Sequence, residues 1–281
     1  MAEGENPDRQ EEEAAALRRE IARLRAALDR LGPDLATWLR IRGFRVYRKE
    51  PAADLLRPAA RFLDGYYDKM KKYSFRLFLR EVINHQELFA AETVSRFAGI
   101  EAAQQYLEYI LAIGLAVRQP RGCRLCRPIR SFGDTLEWFL AELCCREFGA
   151  EAIWGVKFKR AGIGGDYDLL ARIDGLVLYM EVKSSPPKQV GLGEIAAFLA
   201  RADDLGPGLA IFFMDTELRM QDKIVPMFAE SLWLRTGRQP AVRRLTREIY
   251  VAADRYLIMN ARPEIAANLE TVLAWRSRQN F

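Results

Sequence analysis

Three side chains in this 281-residue chain have the types and spacing to do chemistry together: Asp168 and, thirteen positions on, Glu181 and Lys183 in the run Glu181-Val182-Lys183. Two carboxylates beside one lysine offer hard oxygen ligands to Mg²⁺ and an ammonium next to an attacking water. Glu181 and Lys183 close an apolar run, Leu176 to Val182, where unpaired charge is costly, so mere surface decoration explains them poorly. An isolated E-x-K on a strand says little, and its weight comes from the elements that must position it. The chain's single histidine, His85, narrows the alternatives. Ser-His-Asp triads, His-rich metal sites and histidine nucleases need imidazoles this chain lacks, and His85 itself reads as a helix-end or surface residue.

From residue 132 onward the pattern predicts helix, strand, strand, strand, helix, strand. Asp134 can cap a helix whose apolar residues Leu136, Phe139, Leu140, Leu143 and Phe148 recur at helical spacing, and Gly149 ends it. A strand over 152–158 is followed by the polar, glycine-rich loop 160–165. A second strand covers 166–173. Asp174-Gly175 is a two-residue hairpin signal, and 176–182 makes a third, heavily apolar strand. A tight turn there sets Asp168 opposite Glu181, while Glu181 and Lys183, two apart, share a face. Asp166 has the same parity and rivals Asp168 as the first acid. A helix over 194–202 and a strand over 209–214 complete the series.

Asp168, a strand-turn-strand, then Glu181-x-Lys183 is similar to the D…(D/E)-x-K signature of the PD-(D/E)XK, or restriction-endonuclease-like, nuclease superfamily. Residues 132–215 as a whole resemble the archaeal-type Holliday junction resolvases. Tyr167 stands where that pattern has proline. The resemblance implies an α/β fold with a central mixed sheet flanked by helices and a metal-dependent endonuclease acting on nucleic acid, with DNA the expected substrate. It implies Mg²⁺, or Mn²⁺ in its place, held by Asp168, Glu181 and the Val182 carbonyl. Glu137, on the first helix, matches the upstream glutamate that joins such a site, and Lys183 would orient or help deprotonate the water. The rival expectation is a catalytically silent nuclease fold used as a DNA- or protein-binding module in a defence, repair or mobile-element complex.

Lysine and arginine outnumber the acids 43 to 38, which suits a polyanionic partner without demanding one. Arg118, Arg121, Arg124, Arg127 and Arg130 crowd one stretch without an acid between them, and Lys69, Lys71, Lys72, Arg76 and Arg80 form a second basic run. Around them a helix over 69–86, a short helix over 91–97, a turn at Gly99, a helix over 100–113 and a hairpin over 115–129 resemble a winged helix-turn-helix. The helix in the recognition position carries Glu101, Gln104, Gln105 and Glu108 but no base-reading arginine. Phosphate contacts are therefore expected from Arg118, Arg121 and Arg124 of the wing, although a spacing of three cannot put all of them on one strand face. Lys157, Lys159, Arg160 and Gln189 are further expected nucleic-acid contacts.

Three regions are expected: an N-terminal heptad helix over 1–33, a helical, winged-helix-like domain over 34–130, and the nuclease-like domain with a C-terminal extension over 131–281. Leu17, Ile21, Leu24, Leu28 and Leu31 form a coiled-coil seam too short to stand alone, so a second copy or a partner protein is expected against it. The extension should add strands near 249–252 and 256–260 and a last helix over 263–276. The acidic start does not read as a secretory signal, and no run reaches the roughly 18 apolar residues of a membrane span, so the cytoplasm is expected. Cys123-x-x-Cys126 and the adjacent Cys144-Cys145 suit reduced thiols better than zinc, because neighbouring helical side chains diverge. Gly191-x-Gly193-x-x-Ala196 stands too far from its preceding strand for a dinucleotide turn, and no P-loop occurs.

Overall fold

The computed structural model describes Leu17, Glu20 and residues 33–48, 54–159 and 166–280. Apart from the helical Leu17 and Glu20, the expected heptad helix lies outside the described residues. The chain divides into two compact units, Met1–Arg45 and Val46–Phe281. In the first, α1 (Leu35–Ile41) starts at Asp34, whose carboxylate accepts the Thr37 N–H at 2.6 Å, as an N-cap should.

The second unit is α/β. Its eight-stranded sheet runs in the order β1 (Val46–Arg48), β4 (Glu151–Phe158), β5 (Asp166–Ile173), β6 (Leu176–Lys183), β7 (Leu209–Met214), β10 (Tyr256–Asn260), β9 (Ile249–Ala252), β8 (Val242–Thr246). The sheet is mixed, since β6, β7 and β10 are mutually parallel and the remaining pairs are antiparallel. Parallel strands are covered on both faces and so need continuous apolar sequence, and every residue of β7 is buried. Strands β9 and β10 extend the sheet as expected of the C-terminal segment, and β8, in a stretch that was not expected to form a strand, adds its edge.

On one face lie α6 (Leu192–Leu205) and α7 (Ile224–Thr236), whose Phe198 and Phe228 pack against Tyr179 and Phe212 of the sheet. On the other, α5 (Gly133–Phe148) buries Leu136, Phe139, Leu140 and Leu143 in a core with Leu169, Ala171, Met180 and Val182, which α8 (Ile265–Ser277) shares through Leu269 and Val272. Helix α2 (Leu63–Met70) packs on α5, with Tyr66 stacked on Trp138 and Tyr67 tilted against Phe139. Then come α3 (Tyr73–Asn84), α4 (Ile100–Ala112) and a separate hairpin, β2 (Ala116–Gln119) with β3 (Gly122–Leu125).

Several boundaries differ from the expectation. The helix expected over 69–86 is two helices, α2 and α3, and 91–97 forms turns, so the helix-turn-helix order lacks its middle helix. Phe132, not Asp134, is the N-cap of α5, and Asp134 sits in its first turn, where a carboxylate still suits the helix dipole. No division falls near residue 130: β1 joins the main sheet, and the residues from Leu55 to Ile129 share the core of α5 and the sheet. A buried ion cluster reinforces that union. Arg76 of α3, 1% exposed, donates through Nε and Nη2 to the carboxylate of Asp215 just past β7, at 2.9 to 3.1 Å, and Arg80 also reaches Asp215.

Candidate active site

The hairpin β5-β6 builds the site. Its turn residues Asp174 and Gly175 have φ of 48° and 73°, the left-handed pair that a two-residue turn matching strand twist requires. Pairing then runs from Ile173↔Leu176 to Leu169↔Met180, the register expected from the turn. Beyond it the ladder opens. Asp168 turns its carboxylate onto the neighbouring strand, where Oδ2 accepts the Val182 N–H at 2.7 Å.

Glu181 is 3% exposed, so its charge must be met inside the protein. The Tyr179 hydroxyl donates to Oε2 at 2.5 Å, Arg201 of α6 donates to the same oxygen from Nη2 at 2.6 Å, and Lys183 Nζ lies 3.0 Å from Oε1. Arg201 Nε also donates to the Tyr179 hydroxyl at 2.8 Å, closing a triangle. Lys183 is shared with Glu194, whose Oε1 lies 3.1 Å from Nζ and whose Oε2 accepts the Gly191 N–H at the start of α6. Tyr179, Glu181 and Lys183 lie at alternate positions of β6, so the sheet presents all three to α6.

The electrostatics of the acids differ. Burial pushes the Asp168 carboxyl up to about 8, with Glu181 adding to the rise against the Val182 N–H, Lys183 and Arg201. Glu137, on α5, is likewise raised well above the carboxylate range by burial first and by Asp168 next, with further contributions from Asp134, Glu181 and Asp166. Burial works to lower the Lys183 ammonium, but Glu181 and Asp168 outweigh it and hold its pKa above the ordinary value. Burial likewise works to lower Arg201, and Tyr179 and then Glu181 outweigh it. Lys183 and Arg201 thus compensate Asp168 only in part, because both are ion-paired directly with Glu181. No ion pair to Asp168 or Glu137 forms among the described residues. In that donor set, Asp168 and Glu137 have the hard oxygen atoms that suit a divalent cation, which would favour their ionised forms. Among the described residues, however, no three His, Cys, Asp or Glu side chains lie together closely enough to hold an ion as they stand.

Asp166, the rival for Asp168, is exposed and paired across the sheet with Lys157 at 2.8 Å. That also ties Lys157, an expected nucleic-acid contact. Lys159 is exposed, and Arg160, with the glycine-rich loop, lies outside the described residues. Gln189 is exposed at the end of a short turn past Pro186. On the hairpin, Arg118 is ion-paired with Glu108 at 2.5 Å, Arg121 is exposed in the turn, and Arg124 is exposed. Arg118 pairs in register with Cys123, and Arg124 with Val117, so the two arginines project from opposite faces, as their spacing required. All four cysteines are free thiols, Cys123 and Cys144 buried and Cys126 and Cys145 exposed.

Sequence reasoning missed Tyr179, Glu194 and Arg201. The signal for Arg201 was present: Ile195, Phe198, Ala202 and Leu205 form the buried stripe of α6, and Arg201 falls on it. A charge on a core stripe needs a buried partner.

No protein-family model matches the chain, and no curated protein matches it. Among solved structures, the crystal structure of protein VC1899 from Vibrio cholerae is similar, with 12% sequence identity and a TM-score of 0.47. The match covers 86% of this chain and 61% of that one, so this chain spans less than two thirds of that protein's length. No helix of the described residues is long and apolar enough to cross a membrane.

Proposed function

We propose that the chain is a metal-dependent endonuclease of the restriction-endonuclease-like type, hydrolysing phosphodiester bonds of nucleic acid, with DNA as substrate. The observation that carries this reading is the opening of the β5-β6 ladder, where the Asp168 carboxylate grips the Val182 N–H between Glu181 and Lys183.

Asp168 and Glu137 would hold a divalent cation, with Glu181 and the Val182 carbonyl beside them. The chemistry such an ion supplies when bound is polarisation of a phosphoryl oxygen and acidification of water. Lys183 has a narrower task than proton abstraction. With its pKa raised and its Nζ oriented by Glu181 and Glu194, it stays an ammonium at neutral pH and stabilises charge that develops on the phosphoryl oxygens. Arg201 and Tyr179 fix the Glu181 carboxylate, and so act on Lys183 through it. Arg121, Arg124 and Lys159 supply phosphate contacts, while Arg118 is partly spent on Glu108.

A second reading, a silent nuclease fold that only binds, is favoured by one observation: Glu181 is already neutralised by Arg201 and Lys183. A cleavage assay across DNA and RNA duplexes, single strands, flaps and junctions separates the two. Cleavage with Mg²⁺ or Mn²⁺ that is lost with chelator and with Asp168→Asn supports the enzyme. Intact substrates throughout the panel would support the binding module.

A further inference from the structure

A cavity of about 770 Å³ opens one residue beyond Lys183, a volume typical of small-molecule sites. Ser184 and Ser185 form one wall, and Asp215, whose N–H donates to the Lys183 carbonyl at 2.9 Å, lies at its floor. The cavity thus shares a strand end with the candidate active site. Residues of α3 and the turn that carries Arg96 and Phe97 also line it.

The lining is mixed in charge. Asp215 is met by Arg76 and Arg80, and Arg130 by Asp54. Arg96 and Lys188 form no ion pair among the described residues, and the buried Arg80 Nε has no hydrogen-bond partner among them. Glu81 and Glu217 face the same space, and two acids in so small a volume disfavour a run of phosphates. At the mouth stand Phe97 and Leu218, 49% and 59% exposed, the large apolar side chains of an otherwise polar rim. The Arg96 guanidinium lies over the Phe97 ring at 5.0 Å and the Arg80 guanidinium over Phe132 at 5.3 Å. One phosphate's worth of free cation, exposed flat surface for a π-face, and carboxylates to accept from exocyclic amines describe a single nucleotide.

We infer that this cavity is a binding site for one unpaired nucleotide, its base against Phe97 and Leu218 and its phosphate at Arg96 and Lys188. Resting on the nuclease reading, the inference gives the enzyme a substrate with an unstacked nucleotide beside the scissile bond. The shared chemistry also admits a free mononucleotide.

The test is fluorescence anisotropy with the full chain in EDTA, so that cleavage does not enter. The probes are a labelled 12-mer DNA single strand and its duplex, with dAMP as competitor. Phe97→Ala, through loss of one stacked base, and Arg96→Ala, through loss of the contact to that nucleotide's phosphate, both at exposed positions, should each weaken the single strand about tenfold and the duplex less than about twofold. Displacement of the single strand by dAMP from the wild type, and not from Phe97→Ala, would assign the site to isolated nucleotides as well. Failure of dAMP to compete would restrict it to nucleotides within a strand, with the assignment intact. Unchanged single-strand affinity in both variants, equal losses on both probes, or no single-strand binding by the wild type would overturn it. A wild type that shows the expected binding pattern yet never cleaves with metal would remove the nuclease reading and leave the cavity's ligand standing.

Discussion

Arg201 of α6 reaches Glu181 of β6 with Nη2 2.6 Å from Oε2, while its Nε holds the Tyr179 hydroxyl that donates to the same oxygen. The pair welds a helix to the strand that carries the candidate site. It also supplies, from the protein itself, the positive charge that a buried carboxylate needs. Breaking such a pair from one side leaves an uncompensated buried charge, at a cost of about 3–5 kcal/mol. Arg201→Ala should therefore destabilise the fold by about that much in urea unfolding. Adding Glu181→Gln should recover part of the loss. A loss below about 1 kcal/mol, or no recovery in the double variant, would mean that Lys183 and water compensate Glu181 without help from Arg201.

Lys183→Ala should abolish metal-dependent cleavage while leaving nucleic-acid affinity within about threefold, because the ammonium is assigned to the reacting phosphate rather than to binding. Since the folded pKa lies above the ordinary value of about 10.4, the cleavage rate should show no basic limb from this lysine near neutral pH. Wild-type turnover by the variant would take Lys183 out of the mechanism. A basic limb between about pH 7 and 9 that disappears in Lys183→Arg would instead assign it proton transfer.

The hairpin was legible because it is local: Asp174-Gly175 fixes the turn, and the turn fixes which residues face each other across β5 and β6. Asp168, Glu181 and Lys183 could be brought to one strand end on that ground alone. The C-terminal strands were legible as β-branched and aromatic runs, and β9 and β10 lie at 249–252 and 256–260 as expected. What local sequence could not supply was long-range packing. Whether Arg201 meets Glu181 depends on how α6 seats on the sheet. Arg76, one member of a basic run that reads as a solvated face, is buried against Asp215 because α3 docks at the end of β7. The same docking joins the helical segment and the sheet in one core, a long-range contact that element order along the chain does not reveal. The break between α2 and α3 at Lys71-Lys72 carries no Gly or Pro, which is why one continuous helix was expected there.

On the β2-β3 hairpin the arginines are not equivalent. Arg118 is engaged by Glu108, whereas Arg121 and Arg124 make no ion pair among the described residues. If the hairpin binds phosphate, Arg121→Ala with Arg124→Ala should flatten the dependence of log K on log salt by about 0.9 for each duplex phosphate that is no longer neutralised. Arg118→Ala should change the slope less, since it also frees Glu108. An unchanged slope in the double variant would assign the hairpin to protein contacts or solvent.

The metal prediction follows from Asp168. Its carboxyl titrates at about 8 in the fold against an ordinary 3.8. Between those values the native state holds a proton that the unfolded chain has released, so stability falls as pH rises from about 4 to about 8. Burial is the first cause and Glu181 the second, and a divalent cation would relieve both by taking the ionised form as a ligand. Millimolar Mn²⁺ at pH 8 should thus raise the melting temperature by about 2 °C or more, the response of a chain this size to roughly 1 kcal/mol of binding to the native state alone. Asp168→Asn combined with Glu181→Gln should remove the response to Mn²⁺ and shrink the pH-dependent fall to the share that the buried Glu137 contributes in the same direction. The shift should also shrink at pH 5, where Asp168 is protonated and a poor ligand. Equal shifts in the wild type and the double variant, or none in the wild type at pH 8, would count against a metal at this strand end and favour the binding module.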